Sequence, residues 1–105
     1  MNGYFYKDSI SNFLVEDPER TIGRLSSESR FADLLSQKSS WKVEIDILKG
    51  TLKGIDGIIY FEYSIPRIGS RVDTILLIRS AIFVLEFKVG ESIFPLHAVD
   101  QVLDY

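Results

Sequence analysis

The sequence predicts an α/β protein, in which helices cover both faces of a small mixed sheet as an α/β/α sandwich. Three apolar segments of strand length lie in the second half of the chain: Ile58–Ser64, Val72–Ile78 and Ala81–Phe87. The last two do not alternate apolar with polar residues, which is typical of strands covered on both faces. Helical patterns precede and follow them, at Trp41–Lys53 and after Phe94. This order of helix, three strands and helix predicts the sandwich.

The length of 105 residues suits one domain with a single core. We expect residues 1–40 to form a helical cap and residues 41–105 to form the core. The formal charge of −3 argues against a nucleic-acid binder that works through bulk positive charge, but leaves room for an enzyme with local basic residues and a metal ion. The absence of cysteine excludes disulfides and thiolate zinc sites and fits a cytoplasmic protein. No apolar run approaches the ~20 residues that span a membrane, and the first residues do not resemble a signal peptide.

The N-terminal third is predicted to be helical. Ser9 can cap a short first helix, and Asp17 followed by Pro18 is a typical start for a second one. A further helical turn is expected at 31–35, and the polar residues 37–40 are expected to form a loop. This part of the sequence carries no recognisable chemistry.

The clearest helix runs from Trp41 to Lys53, with Ser39 or Ser40 as its cap. Its apolar residues recur at helical spacing: Trp41, Ile45, Leu48 and Leu52. Glu44 lies on or beside this inward stripe. It is either a first-turn carboxylate stabilised by the helix dipole or an additional metal ligand, and the sequence leaves both interpretations open.

Glu62 is a lone charge in the apolar strand Ile58–Ser64. Strand alternation places Ile58, Tyr60 and Glu62 on one side, and Ile59, Phe61 and Tyr63 on the other. We expect Glu62 to form an ion pair with Arg67 or Arg71. A place in a metal site is the alternative.

The next two strands are expected to form a hairpin around a two-residue loop at Arg79-Ser80. This register places Asp73 opposite Glu86 and Arg71 opposite Lys88, and facing residues share one side of a sheet. The four charged groups would therefore converge on one small area. The same side also carries four apolar residues: Ile75, Leu77, Ile82 and Val84.

Two interpretations explain such a group of charges. In the first, Asp73 pairs with Lys88 and Glu86 pairs with Arg71, which neutralises all four groups without a metal. In the second, Asp73 and Glu86 hold a divalent ion and Lys88 lies beside it. The position at the rim of a buried face favours the second, because the cost of burying charge is usually tolerated at functional sites.

Phe94 followed by Pro95 predicts the start of a final helix. Within it, His97, Gln101 and Tyr105 lie four residues apart and share one side. A single histidine such as His97 is more often a surface or capping residue than a metal ligand.

These motifs resemble those of a known superfamily. Asp73, followed after twelve residues by Glu86-Phe87-Lys88, is similar to the D…ExK signature of the PD-(D/E)xK nucleases, with Val72 where the superfamily name has proline. The segment from Gln101 to Tyr105 resembles the Q-x-x-x-Y motif of the RecB-like branch. The stretch 41–105 as a whole resembles nuclease-like domains found in front of helicase-type ATPase modules in bacterial proteins.

The resemblance implies a restriction-endonuclease-like core and metal-dependent hydrolysis of phosphodiester bonds, most plausibly in DNA. The implied catalytic residues are Asp73, Glu86, Lys88, Gln101 and Tyr105. The implied ligands of Mg²⁺, or Mn²⁺, are Asp73, Glu86 and the Phe87 carbonyl, with Glu44 as an additional ligand. Arg67 and Arg71 are candidates for contacts with nucleic-acid phosphates.

Members of this group usually continue into another strand and helix, so we expect either a chain that stops within the fold or a reduced sheet. The resemblance also implies a helicase-type ATPase domain as a partner in a longer parent chain. A missing strand would expose a sheet edge and favour a homodimer. The alternatives are a catalytically inactive module that binds nucleic acid or a partner protein, and a purely structural domain with neutralised charges.

Overall fold

The computed structural model describes residues 3–29, 31–65 and 70–87. They form a mixed α/β fold with three helices and a four-stranded antiparallel sheet. In chain order the elements are β1 (Tyr6–Ser9), α1 (Ile10–Val15), α2 (Pro18–Ser26), α3 (Phe31–Thr51), β2 (Ile58–Ile65), β3 (Ser70–Ile78) and β4 (Ala81–Leu85). The sheet order is β1-β2-β3-β4, and every pairing between these strands is antiparallel, so the mixed sheet that we expected is not present in the described part of the chain.

The first two helices begin where the sequence predicts. The Ser9 hydroxyl accepts a hydrogen bond from the Asn12 backbone N–H at 3.1 Å, which caps α1. The Asp17 carboxylate accepts from the Glu19 N–H at 2.8 Å, which caps α2, and Pro18 occupies the first turn. Both predictions are confirmed because local hydrogen bonds alone determine these starts.

The N-terminal segment also contributes a strand that the sequence did not predict. β1 pairs with β2, with Tyr6 opposite Phe61 and Ser9 opposite Ile58. The strand has only four residues, and two of them, Lys7 and Asp8, are charged. Such a short polar segment lacks the apolar run that identifies a strand. The segment before α1 is therefore part of the sheet and not only a helical cap.

The loop predicted at 37–40 is wrong, because α3 is one continuous helix through these positions. Lys38 and Ser39 are exposed, whereas Gln37 and Ser40 are half-buried. An exposed helix face has the same composition as a loop, so polarity alone could not separate the two. The expected boundary between residues 40 and 41 falls inside this helix.

The three helices pack against one face of the sheet. The buried residues between them form a cluster that we call the inner cluster. It contains the predicted stripe of α3, Trp41, Ile45, Leu48 and Leu52. A second group, the outer cluster, lies on the opposite face and consists of Val72, Ile75 and Val84 packed with Tyr60, Tyr63, Ile65, Leu77 and Ile82.

The hairpin of β3 and β4 has the predicted register. Ile78 pairs with Ala81 across the two-residue turn, and the ladder continues as far as Thr74 opposite Leu85. Arg79 has a φ of +57°, the left-handed conformation that tight hairpin turns require. The register confirms that Ile75, Leu77, Ile82 and Val84 share one face.

Candidate acidic pocket

The site begins where β2 departs from regular alternation. Phe61 belongs to the inner cluster, so the next inward residue of a regular strand would be Tyr63. Tyr63 instead packs in the outer cluster against Tyr60, at a ring distance of 5.3 Å. Glu62, which has a φ of +55°, takes the inward position beside Trp41. The predicted sides of Glu62 and Tyr63 are therefore wrong.

The neighbouring strand β3 changes sides at the same level. Thr74 is fully buried and lies opposite Phe61 and Leu85, both of the inner cluster. Val72 nevertheless belongs to the outer cluster, although it is two residues away. Asp73 between them lines a pocket on the helix side. Simple alternation predicted that Asp73 shares the face of Ile75, and this prediction is wrong.

These two reversals create a pocket of about 250 Å³ between α3 and the sheet. Its lining is Gln37, Ser40, Trp41, Glu44, Glu62, Asp73 and Phe87. Asp73 is held in place because one of its oxygens, Oδ2, accepts a hydrogen bond from the Phe87 N–H at 2.8 Å. The residues come from α3, from the middle of β2, from β3 and from the segment just after β4.

Glu62 forms the ion pair that the sequence led us to expect. Its Oε1 lies 3.2 Å from the Nε of Arg71. Its Oε2 accepts a hydrogen bond from the indole Nε1 of Trp41 at 3.2 Å. The Arg71 guanidinium also lies over the ring of Phe5, 4.7 Å from its centre. Arg71 thus binds Glu62, and not Glu86 as the metal-free interpretation proposed.

Glu44 is the most buried acidic residue of the pocket, with 3% of its surface exposed. Its Oε1 has no hydrogen-bond partner. Burial, followed by the charges of Asp73 and Glu62, raises the pKa of Glu44 to about 8. Glu44 therefore keeps its proton at neutral pH. Arg71 is paired with Glu62, so the negative charge of Asp73 has no cation beside it among the described lining residues.

The two other carboxyl groups are affected in the same direction. Burial raises the pKa of Asp73, and the Phe87 N–H only partly opposes it. Burial also raises the pKa of Glu62, against the opposing hydrogen bond from Trp41 and the charge of Arg71. All three groups would be stabilised by a further positive charge in the pocket.

The donor set fits a hard cation that keeps several waters. Within the described residues, no group of three or more His, Cys, Asp or Glu side chains is arranged to hold a metal ion. Two carboxylates remain available, those of Glu44 and Asp73, because both oxygens of Glu62 are engaged by Trp41 and Arg71. One or two carboxylates with water is the usual protein share of Mg²⁺ coordination.

Among the other signature residues, Glu86 is described by the structure and is not part of this pocket. Glu86 is exposed. The ladder ends at Leu85, so the predicted pairing of Asp73 with Glu86 is not formed. Lys88, Arg67, Gln101, Tyr105 and His97 lie outside the described residues.

Three pocket residues carried no functional prediction: Gln37, Ser40 and Trp41. Gln37 was assigned to a loop, but it lines the pocket and its Oε1 is buried without a hydrogen-bond partner. Trp41 was assigned only to the core. A buried indole N–H needs a hydrogen-bond acceptor. Because the rest of the stripe is apolar, this need could have indicated a carboxylate close to Trp41.

Comparisons with protein-family models, with curated proteins and with solved structures give no significant match. The resemblance to nucleases therefore rests on the sequence motifs alone and stays a prediction. In the described part of the chain, no helix has the length and apolar character needed to cross a membrane.

Proposed function

We propose that the protein is a metal-dependent nuclease that hydrolyses phosphodiester bonds, with DNA as the expected substrate. The observation that carries this proposal is the acidic pocket, in which the buried Glu44 has an oxygen without a partner beside Asp73. A divalent cation would satisfy that oxygen and the excess negative charge together. The proposal includes a restriction-endonuclease-like α/β/α sandwich, with a helix after Phe94 as the second helical layer.

In this proposal Asp73 and Glu44 hold Mg²⁺ or Mn²⁺, and the Phe87 carbonyl and Glu86 complete the protein ligands that the resemblance implies. The bound ion would lower the pKa of a water molecule and polarise the phosphate. The Phe87 N–H fixes one oxygen of Asp73 and so orients the carboxylate, which leaves its second oxygen for a ligand. The side chain of Arg71 is 42% exposed beside Glu62 and can contact a phosphate oxygen.

Four proposed residues lie outside the described part of the chain. The Lys88 ammonium would orient the attacking water or stabilise the charge that develops on the phosphate. Gln101 and Tyr105 would position the DNA, and Arg67 would contact its backbone. A helicase-type ATPase domain in a longer parent chain and a second copy of the chain remain proposed partners.

The metal site can be tested directly because Trp41, the single tryptophan of the chain, lines the pocket. Excitation of Trp41 should sensitise the luminescence of bound Tb³⁺, and Mg²⁺ or Mn²⁺ should compete for the site. We expect Asp73→Asn and Glu44→Gln to weaken Tb³⁺ binding at least about tenfold. The control is Asp46→Asn, an exposed carboxylate on the same helix, which should bind like the unaltered protein.

Activity is tested with plasmid and linear DNA in the presence and absence of Mg²⁺ or Mn²⁺. Cleavage should require the metal and should be lost in Asp73→Asn and Lys88→Ala. Cleavage that persists unchanged in both variants would show that the assigned site is wrong. Absence of luminescence transfer from Trp41 at any Tb³⁺ concentration would exclude the pocket as the metal site.

The exposed position of Glu86 favours a second candidate, a nuclease-fold module without catalytic activity that binds nucleic acid or a partner protein. Such a module would not need Glu86 in the pocket. It would bind DNA or RNA in a gel-shift experiment and cleave neither with any divalent metal. Glu86→Gln would leave binding unchanged in that case, whereas it should abolish cleavage by a nuclease.

A further inference from the structure

Glu62 has an unusual backbone conformation in the middle of β2. Its φ of +55° lies in the left-handed region, which residues with a side chain rarely adopt and which glycine and asparagine tolerate best. The residue is 8% exposed, and both of its carboxylate oxygens have partners, Trp41 and Arg71. A strained conformation that is held by specific contacts indicates a functional constraint.

The conformation of Glu62 coincides with the change of sides in both strands. The ladder pairs Phe61 with Thr74 before it and Tyr63 with Val72 after it, so Glu62 and Asp73 lie at the same level. Phe61 and Thr74 lie on the inner side, whereas Tyr63 and Val72 lie in the outer cluster. The reversal therefore occurs at this one level in both strands.

A regular strand at this level would give a different site. Alternation would turn Glu62 towards Tyr60 and Asp73 towards Ile75, both on the outer face. Asp73 would then lie across the sheet from Glu44 and could not accept the Phe87 N–H from the pocket side. The position of Asp73 in the pocket thus coincides with the irregular backbone of β2 at Glu62.

We propose that Glu62 is a positioning residue, whose left-handed backbone conformation turns Asp73, at the same level of β3, through the sheet into the acidic pocket. The carboxylate of Glu62 stabilises this conformation through Trp41 and Arg71, and Glu62 does not itself bind the ligand. The role of Asp73 in metal binding rests on the proposed function, but the positioning of Asp73 does not.

The test compares three variants that all lose the carboxylate. Glu62→Gly and Glu62→Asn tolerate a positive φ, whereas Glu62→Ala does not. The readout is hydrogen exchange of the Phe87 amide in the metal-free, full-length chain, because this amide is bonded to Asp73. Exchange of the Leu76 and Phe83 amides, in the regular part of the hairpin, reports general destabilisation.

We expect the Phe87 amide to stay protected within about threefold in Glu62→Gly and Glu62→Asn, and to exchange at least about tenfold faster in Glu62→Ala relative to the hairpin amides. The Trp41 indole N–H signal should shift in all three, because its acceptor is removed. Equal protection of Phe87 in the glycine and alanine variants would overturn the proposal. So would loss of protection or failure to fold in all three, since the carboxylate alone would then position Asp73.

The same variants separate this proposal from the proposed function. Tb³⁺ binding sensitised by Trp41 should follow the Phe87 result, with affinity retained in the glycine variant and lost in the alanine variant. If the amide result holds and no variant or unaltered protein binds metal, Glu62 still positions Asp73 and the metal site is wrong. If Glu62→Ala keeps both Phe87 protection and metal affinity, the positioning role is wrong.

Discussion

At the scale of single residues, Glu44 is a buried acid that costs stability. Its pKa of about 8 in the folded chain lies above its ordinary value of 4.5, because of burial and the neighbouring Asp73 and Glu62. Between these two values the folded state keeps a proton that the unfolded chain has released. The free energy of unfolding should therefore fall as the pH rises from about 4.5 to 8 in metal-free buffer.

Glu44→Gln removes this linkage. We expect the variant to be more stable than the unaltered protein at pH 8, on the order of 3 kcal/mol, since one pKa unit corresponds to about 1.4 kcal/mol. Urea unfolding followed by Trp41 fluorescence at pH 5 and pH 8 measures the difference. Asp46→Asn serves as the control, and a wild-type stability that is flat across this range would contradict the expectation.

Gly57 lies where the chain approaches the backbone of β3. A Cβ atom there would lie 2.3 Å from the carbonyl oxygen of Leu77, which is backbone and cannot rotate away. We expect Gly57→Ala to lower the free energy of unfolding by more than about 2 kcal/mol. Gly23→Ala in α2 is the matched control, because its Cβ would meet nothing within 4 Å.

The control substitution should raise the free energy of unfolding instead of lowering it. An alanine at position 23 should stabilise the helix by roughly 0.5–1 kcal/mol, because glycine disfavours helix interiors. Thermal unfolding of Gly57→Ala and Gly23→Ala measures both changes in stability. A Gly57→Ala protein as stable as the unaltered chain would mean that β2 and β3 separate at low cost.

The residues of the pocket were predictable only in part. Helical spacing is regular, so Glu44 could be placed beside the buried stripe of α3. Strand alternation is equally regular, and for that reason it misplaced Asp73 and Glu62. A glutamate with φ of +55° has no signature in the sequence, since the contacts that hold it come from Trp41 and Arg71 elsewhere in the chain.

At the scale of secondary-structure elements, one side chain of α3 forms hydrogen bonds to the end of α1. The Lys49 ammonium donates to the carbonyl oxygens of Phe13, Leu14 and Glu16 at 2.5, 3.2 and 2.7 Å. These carbonyls lie at the end of α1, where a helix leaves acceptors unpaired. The cation also complements the negative end of the helix.

Lys49→Met keeps the length of the side chain and removes the ammonium. We expect a loss of about 1–3 kcal/mol, because the partly buried carbonyls lose their donor. Lys42→Met, an exposed position on the same helix, should change stability by less than about 0.5 kcal/mol. Chemical denaturation of the two variants gives the comparison, and equal midpoints would show that water replaces Lys49.

Element boundaries followed from the sequence where local chemistry determines them. The caps at Ser9 and Asp17 and the turn at Arg79 depend on neighbours within a few residues. β1 and the middle of α3 depend on distant partners instead: β1 on pairing with β2, and residues 37–40 on a helix that continues through an exposed, polar surface. Tertiary context, which composition does not record, decided both.

At the scale of the whole molecule, a second group of charges joins β1, α1 and α2. Arg24 Nη1 lies 3.0 Å from both Asp8 Oδ2 and Glu16 Oε2. Its guanidinium also lies over the ring of Tyr6, at 4.1 Å. Burial would raise the pKa of both carboxyl groups, but their hydrogen bonds, including those from Arg24, outweigh it and hold both pKa values below the ordinary range.

Low pH should therefore destabilise the packing of β1, α1 and α2. Depressed pKa values mean that the stabilisation is present above the unfolded values near 4, and is lost as the pH falls through the lower folded values. Arg24→Met should weaken this acid dependence, whereas Arg20→Met, with a largely exposed side chain, should not. Urea midpoints between pH 2 and 6 measure this acid dependence. The same dependence in the unaltered protein, Arg24→Met and Arg20→Met would contradict the prediction.

The placement of β1 has a consequence for how the chain reaches its native state. Tyr6 is made early on the ribosome, but its partner Phe61 emerges only after all three helices. The hairpin of β3 and β4 closes locally. Pairing of β1 with β2 requires closure of a long loop, which costs more conformational entropy. We infer that the described sheet grows from the hairpin of β3 and β4 towards β1, so that β1, although synthesised before the other three strands, is incorporated after them.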